Sequence, residues 1–315
     1  MPILLSSIQF AVGITILLIS TRFFVRWVER VSSGIRISPL VIGSTLVAIG
    51  TSIPELVVSL VAIAEHDVNL AVANIVGSNV VNIALVLPAA VLAGKLRIGT
   101  TKTQRTVWVL LGVTVGFLVL YAARPAPFGS GMLLLSIAVL VTYLEYRWGV
   151  TGRSFEDYFR FRKVKKMNDG FMSILELLGS VIGVVVGGIM TVNATEGLAT
   201  SLSVTTTVLG LSLTAVATSL PELLTSVFSQ EDREDKLALG NVMGSNIYNL
   251  TLVAGVMLLF GSWGVLPLFD IGMLLVTAVA LFALVRLKRG KVVPYRFAFA
   301  FLALFVVYMV SLAKG

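Results

Sequence analysis

Three stretches of this chain run too far without a charge to belong to a water-soluble domain. Thr106–Ala123 holds 18 uncharged residues, Pro125–Leu144 holds 20 and Leu177–Thr195 holds 19. A helix rises 1.5 Å per residue, so runs of about 20 residues cross the roughly 30 Å hydrocarbon core of a bilayer. Composition agrees. Only 13% of the 315 residues are charged, about half the share of a soluble domain, and the mean hydropathy is +0.97. Lipid is therefore the solvent for most of the chain. A membrane β-barrel is excluded, because its strands alternate apolar and polar residues over short segments.

Ten spans are predicted, at 4–29, 38–64, 70–92, 105–123, 128–146, 173–195, 204–230, 236–261, 266–286 and 295–312. The first run has no basic n-region and no small-residue cleavage site, so it reads as a helix and not a removed signal. With both termini placed outside, 22 of the 24 Lys and Arg fall on inside connections, and only Arg124 and Lys314 lie outside. Basic residues mark the cytoplasmic side, so the net charge of +8 is read as topology and not as a nucleic-acid surface. The polar segment 148–171 divides the chain into halves, 1–147 and 172–315, of five spans each. The chain is expected in the cell (plasma) membrane as a multi-pass protein, with no obligatory protein partner. There is no cysteine, which removes disulfides and thiolate metal ligands.

The halves repeat. Residues 43–86 align without gaps to 210–253, with 18 identities over 44 positions. Shared leucines and valines could arise from apolar composition. Thr51-Ser52-x-Pro54-Glu55 and Gly77-Ser78-Asn79-x-x-Asn82, repeated as Thr218-Ser219-x-Pro221-Glu222 and Gly244-Ser245-Asn246-x-x-Asn249, could not. Five spans separate the copies, so the second copy is inverted in the membrane, a plan common among secondary transporters. The predicted fold is all-α, with ten transmembrane helices in two inverted repeats of five and broken helices 2, 3, 7 and 8 at the core.

The repeated polar residues define a candidate cation site. Pro54 and Pro221 lack an N–H and clash with the preceding turn, so spans 2 and 7 should break there. Carbonyls near Ala48, Gly50 and Thr51 are then expected to lose their helical partners and become ligands for hard cations. Glu55 and Glu222 are the acidic residues at mid-membrane depth. A carboxylate there costs roughly 2.5–3.5 kcal/mol to insert, and no mid-span Lys or Arg is available to pair with either. A bound cation is the simplest compensation. Ser78 with Asn82, and Ser245 with Asn249, share helix faces at i,i+4 spacing and join the candidate site. Asn74, Asn79, Asn241 and Asn246 are assigned to interhelical hydrogen bonds, and Gly77 and Gly244 to close helix approach. The oxygen supply meets the 6–8 ligands of Ca²⁺, and smaller shells for Na⁺ could share it. The sole histidine, His66, is predicted to be solvated in a loop.

These paired motifs resemble the α-repeats of the calcium/cation antiporter superfamily, with the sodium/calcium exchangers, in their compact prokaryotic form, as the nearest branch. The resemblance implies Ca²⁺ between Glu55 and Glu222, assisted by the carbonyls of Thr51 and Thr218. It implies Na⁺ sites using Ser52, Ser78 and the Ala48 carbonyl, and Ser219, Ser245 and the Ala215 carbonyl. It also implies that spans 1 and 6 slide across the remaining bundle. No cofactor is expected beyond the transported Ca²⁺ and Na⁺, and no enzymatic activity. Potassium-dependent relatives typically carry Asp where Asn249 stands, which argues against K⁺ coupling. Proton-coupled relatives carry Gly-Asn-x-x-Glu, absent here. Two fixed carboxylates balance one Ca²⁺, so exchange for about three Na⁺ would move net charge. The alternatives are proton-coupled exchange by the same fold and, more remotely, a cation channel or an intramembrane hydrolase.

Overall fold

The computed structural model describes residues 3–32, 45, 47–99, 101–150, 170–231 and 235–313. Among these, nine helices are long and apolar enough to cross a membrane. The predicted span 38–64 is described from residue 45 onward, apart from residue 46. Most of the predicted linker 148–171 lies outside the described residues, and the helices on either side reach to Val150 and start at Gly170.

The chain begins with α1 (Ile3–Ser32). The second span is in pieces, α2 (Ala48–Thr51) and α3 (Ile53–Ala64). The third is α4 (Val68–Val81), a π-helical turn at Asn82–Val86, and α5 (Leu87–Ala93). Two unbroken helices follow, α6 (Thr101–Ala123) and α7 (Pro127–Val150). The second half repeats the order. It starts with α8 (Gly170–Leu202). Then come α9 (Thr206–Leu209), a π turn at Gly210–Thr214, α10 (Ala215–Thr218) and α11 (Leu220–Glu231). Next are α12 (Asp235–Tyr248), a π turn at Asn249–Val253 and α13 (Ala254–Phe260). The chain closes with α14 (Leu268–Leu287) and α15 (Tyr295–Leu312). The interruptions expected in spans 2 and 7 are true breaks. Those in spans 3 and 8 are single π turns inside otherwise continuous helices.

Local chemistry explains several ends. Asp67 caps α4, its Oδ1 accepting from Leu70 N at 2.9 Å. Thr205 caps α9 through Val208 N at 3.3 Å. Each satisfies an N–H that the first turn leaves without a partner.

α4 and α12 are buried on every side and form the centre. α6, α7, α14 and α15 pack around them, and α3 and α11 complete the wall. α1 lies along α8 at one flank, and both turn apolar side chains such as Leu4, Ile8, Ile182 and Val185 outward. Apolar outside and polar inside is the pattern that lipid selects.

The connections fall on two opposite faces. On one, residues 96–98 pair with 290–293, with Val293 N donating to Leu96 O at 2.8 Å and Ile98 N to Lys291 O at 3.0 Å. On the other, Val265 N donates to Asn69 Oδ1 at 2.8 Å, and Trp263 Nε1 to Pro125 O at 2.9 Å. The basic Lys95–Arg97 and Arg286–Arg296 connections thus share a face, as the charge count required. His66 is exposed on the opposite face, in a left-handed conformation with φ of 64°.

The α1–α8 contact depends on missing side chains. A Cβ on Gly187 would lie 2.6 Å from Leu17 N and 2.8 Å from Gly13 O. With Gly183 one turn earlier, this is the small-xxx-small pattern by which membrane helices approach closely. Gly187→Val should therefore destabilise the protein by about 1–3 kcal/mol through overpacking. A lowered melting midpoint in detergent, with normal expression, is the expected result.

Candidate ion-binding site

Both helix breaks have the same cause and nearly the same shape. Ser52 leaves helical geometry at φ −83° and ψ 7°, with Pro54 in the first turn of α3. Ser219 does so at φ −81° and ψ 5°, ahead of Pro221. The new helix then starts with its glutamate in the first turn, Glu55 in α3 and Glu222 in α11. That places each carboxylate at a helix N-terminus, where the backbone dipole favours negative charge.

The two repeats meet crosswise. Ser52 Oγ donates to Glu222 Oε1 at 3.3 Å, and Ser219 Oγ donates to Glu55 Oε1 at 3.4 Å. Each carboxylate therefore sits beside the break of the opposite half. Thr51 Oγ1 lies 3.3 Å from Ser245 Oγ, and Thr218 Oγ1 lies 3.3 Å from Ser78 Oγ. Glu55, Glu222, Ser78, Ser245, Asn82 and Asn249 are all fully buried. Gly77 makes the crossing possible, since a Cβ there would meet Ala215 Cβ at 2.8 Å and Leu211 O at 2.9 Å.

The remaining lone pairs bear on what such a site can hold. Glu55 Oε2, Glu222 Oε2 and all four side-chain amide atoms of Asn82 and Asn249 are buried with no protein partner. Buried polar atoms are nearly always satisfied. These six atoms form symmetric pairs from the two repeats, and four of the six are oxygens suited to a hard cation. Asn82 and Asn249 also open the π turns of spans 3 and 8, a feature common at functional sites.

Several expectations need correction. The Ala48 carbonyl keeps a helical partner, accepting from Ser52 N at 3.1 Å and also from Thr51 Oγ1 at 3.3 Å. Ala215 O is held alike by Ser219 N at 3.1 Å and Thr218 Oγ1 at 3.4 Å. Gly50 O also accepts a backbone N–H at the break. The turn at each serine tightens onto these carbonyls instead of freeing them. Asn79 and Asn246 do not reach across helices, because their Nδ2 groups donate to Ile75 O and Val242 O one turn back. Asn74 and Asn241 do reach across, as expected.

Two acidic residues near helix ends are also buried. Glu145 accepts from Thr106 Oγ1 at 2.7 Å, and Asp270 holds Oδ1 without a partner in the first turn of α14. Sequence position alone placed them only near span ends. Only the packing of neighbouring helices over them reveals their burial.

A buried, two-fold related set of carboxylates, hydroxyls and amides at paired helix breaks, inside an inverted repeat, defines a membrane ion transporter. The chain belongs to the family described as sodium/calcium exchanger protein, whose sequence profile matches residues 5–151 and 172–314. It is 30% identical over 312 residues to a membrane protein of Methanocaldococcus jannaschii, MJ0091, with 97% of each chain covered. It is 32% identical over 262 residues to the inner membrane protein YrbG of Escherichia coli, covering 81% of this chain and 80% of YrbG. It is 28% identical over 283 residues to the sodium/calcium exchanger MaX1 of Methanosarcina acetivorans, covering 79% of this chain and 81% of MaX1. Among solved structures, the sodium-calcium exchanger NCX_Mj matches with a TM-score of 0.72 and 26% identity, covering 98% of this chain and 99% of that one.

The unpartnered amides make a prediction about stability. An unsatisfied buried polar group costs about 1–3 kcal/mol. Asn82→Leu and Asn249→Leu should therefore raise the melting midpoint in buffer free of Ca²⁺ and Na⁺. Where added Ca²⁺ raises the melting midpoint of the parent protein further, the same variants should lose most of that rise.

Proposed function

We propose that this protein exchanges Na⁺ for Ca²⁺ across the membrane by alternating access, with Glu55 and Glu222 as the two carboxylate ligands of Ca²⁺. One observation carries the reading. Two glutamates from inverted repeats lie fully buried, each next to the serine three residues upstream of the other, with a free Oε2 apiece. The names of MaX1 and NCX_Mj assign sodium/calcium exchange to those relatives, which supports the same cargo here.

In this reading Asn82 and Asn249 add amide oxygens to the shell, together with the carbonyls of Thr51 and Thr218. Ser52 and Ser78 with the Ala48 carbonyl, and Ser219 and Ser245 with the Ala215 carbonyl, serve Na⁺. Both alanine carbonyls already hold two donors. The single Thr51 proton is shared between Ala48 O and Asn241 Oδ1, and that of Thr218 between Ala215 O and Asn74 Oδ1, so a hydroxyl that donates to the amide alone leaves a carbonyl lone pair for Na⁺. Ser52 and Ser219 can keep donating to the opposite carboxylate while their oxygen lone pairs face the ion. Hydroxyls and carbonyls suit Na⁺, and carboxylates add the charge that a divalent ion needs.

Two fixed negative charges match one Ca²⁺, so about three Na⁺ per Ca²⁺ leaves one positive charge to cross per cycle. Asn249 adds no third carboxylate, and K⁺ is not required. α1 and α8 move together as a pair, sliding past α3 and exposing the site to one face and then the other. The basic connections face the cytoplasm and both termini face outward in the plasma membrane, following the distribution of Lys and Arg.

Reconstituted protein should take up ⁴⁵Ca²⁺ against an outward Na⁺ gradient, and an imposed membrane potential should change the rate. Glu55→Gln and Glu222→Gln should each reduce that uptake to background, since loss of one carboxylate leaves a divalent ion poorly balanced. Normal transport by both variants would place the site elsewhere. Uptake driven by a pH gradient without Na⁺ would replace Na⁺ with H⁺ as the coupling ion. Flux indifferent to potential would overturn the stoichiometry.

A further inference from the structure

Asn74 and Asn241 belong to neither ligand set above, yet each uses both ends of its amide at the site. Asn74 Nδ2 donates to the backbone oxygen of Glu55 at 3.3 Å and to Ser59 Oγ at 3.3 Å. Its Oδ1 accepts from Thr218 Oγ1 of the opposite repeat at 3.3 Å. Asn241 repeats the pattern with Glu222 O at 3.2 Å, Ser226 Oγ at 3.1 Å and Thr51 Oγ1 at 3.2 Å. A backbone carbonyl can only accept, so the orientation of both amides is forced. Ser59 sends its own proton to Ala71 O at 3.4 Å, which leaves its oxygen free to accept from Asn74.

The other asparagines of the motif differ. Asn79 and Asn246 bond to their own helices, and Asn82 and Asn249 have no protein partner. Only at 74 and 241 does one side chain grip a glutamate's main chain and, at the same time, the residue just before the other half's helix break. Three groups are thereby fixed relative to one another: the glutamate of one repeat, the threonine of the other, and the central helix between them. An aspartate could not do this, because it has no N–H for the glutamate carbonyl. A serine is too short to span the same three partners.

We propose that Asn74 and Asn241 are positioning residues that set where the Glu55 and Glu222 carboxylates stand relative to the opposite break, and so set the affinity for the transported cation. The inference rests on the reading that these two glutamates hold Ca²⁺. Partners one shell removed from a metal ligand typically change affinity about 10–100-fold when lost.

The test uses Asn74→Leu and Asn241→Leu in the full-length protein. Leucine keeps the branching at Cγ and removes every hydrogen bond of the amide, while the threonines retain their bonds to Ala215 O and Ala48 O. In proteoliposomes the expected result is an apparent KM for Ca²⁺ raised about 10–100-fold, beside the lower ion-free melting midpoint that loss of buried hydrogen bonds brings in any case. A purely structural role would lower the melting midpoint and Vmax and leave KM as it was, and that result in both variants overturns the proposal. Where a leucine variant fails to fold, Asn74→Ser and Asn241→Ser take its place. A smaller rise in KM supports the proposal there, and an unchanged KM overturns it. Glu55→Gln and Glu222→Gln are assayed alongside. If they still transport, the site reading fails and this inference falls with it. If they are inactive while the asparagine variants keep the parent KM, only the positioning role fails.

Discussion

A carboxyl at mid-membrane depth has no bulk water to turn to, so its partners must come from the protein or its cargo. In this chain they come from the other half of the molecule. Ser52 serves Glu222, and Ser219 serves Glu55. This crossed pairing requires the two broken helices to lie face to face, which in turn requires α4 and α12 to cross them without bulk. Gly77 provides that clearance against Leu211 and Ala215. It also requires α6, α7, α14 and α15 to close around the centre and keep lipid away from six fully buried asparagines.

The inverted repeat gives the arrangement its economy. Hydrogen bonds made in one half recur in the other within about 0.2 Å at every pair described, from the threonine–asparagine contacts to the serine–glutamate ones. A site built this way presents nearly the same surroundings to an ion approaching from either face. Breaks at Ser52 and Ser219, together with the π turns, concentrate irregular backbone around the buried centre, where protein and not lipid surrounds it. The flanking pair α1 and α8, joined through Gly13 and Gly187, stands apart from this centre and carries no member of the crossed hydrogen-bond set.

Much of this was legible because lipid penalises polar residues so strongly. A glutamate, a proline and an asparagine at the same spacing in two apolar segments have few explanations apart from a shared site. The bends expected at Pro54 and Pro221 were correct for the same reason, since proline's missing N–H is a property of the residue and not of its surroundings. Less legible was the fate of the carbonyls at the bends. Whether Ala48 O is freed or held depends on a local turn of a few tens of degrees at Ser52 and on a threonine rotamer, and both answer to packing. The difference between Asn74, which reaches across as expected, and Asn79, which does not, was equally hidden. They are the same residue type five positions apart on one helix, and only the neighbour each faces makes one a bridge between repeats and the other a bond to its own turn.

By itself, then, the sequence determined the membrane environment, the inverted two-fold plan, the helix breaks and the pair of glutamates, because hydrophobicity, proline geometry and the cost of buried charge act residue by residue. Tertiary structure alone decided which serine meets which glutamate, that Asn82 and Asn249 keep their amides unpartnered, and that Asp270 and Glu145 are covered. Those facts depend on how helices distant in sequence pack, and a side chain's partner across such a contact leaves no mark on its own stretch of chain.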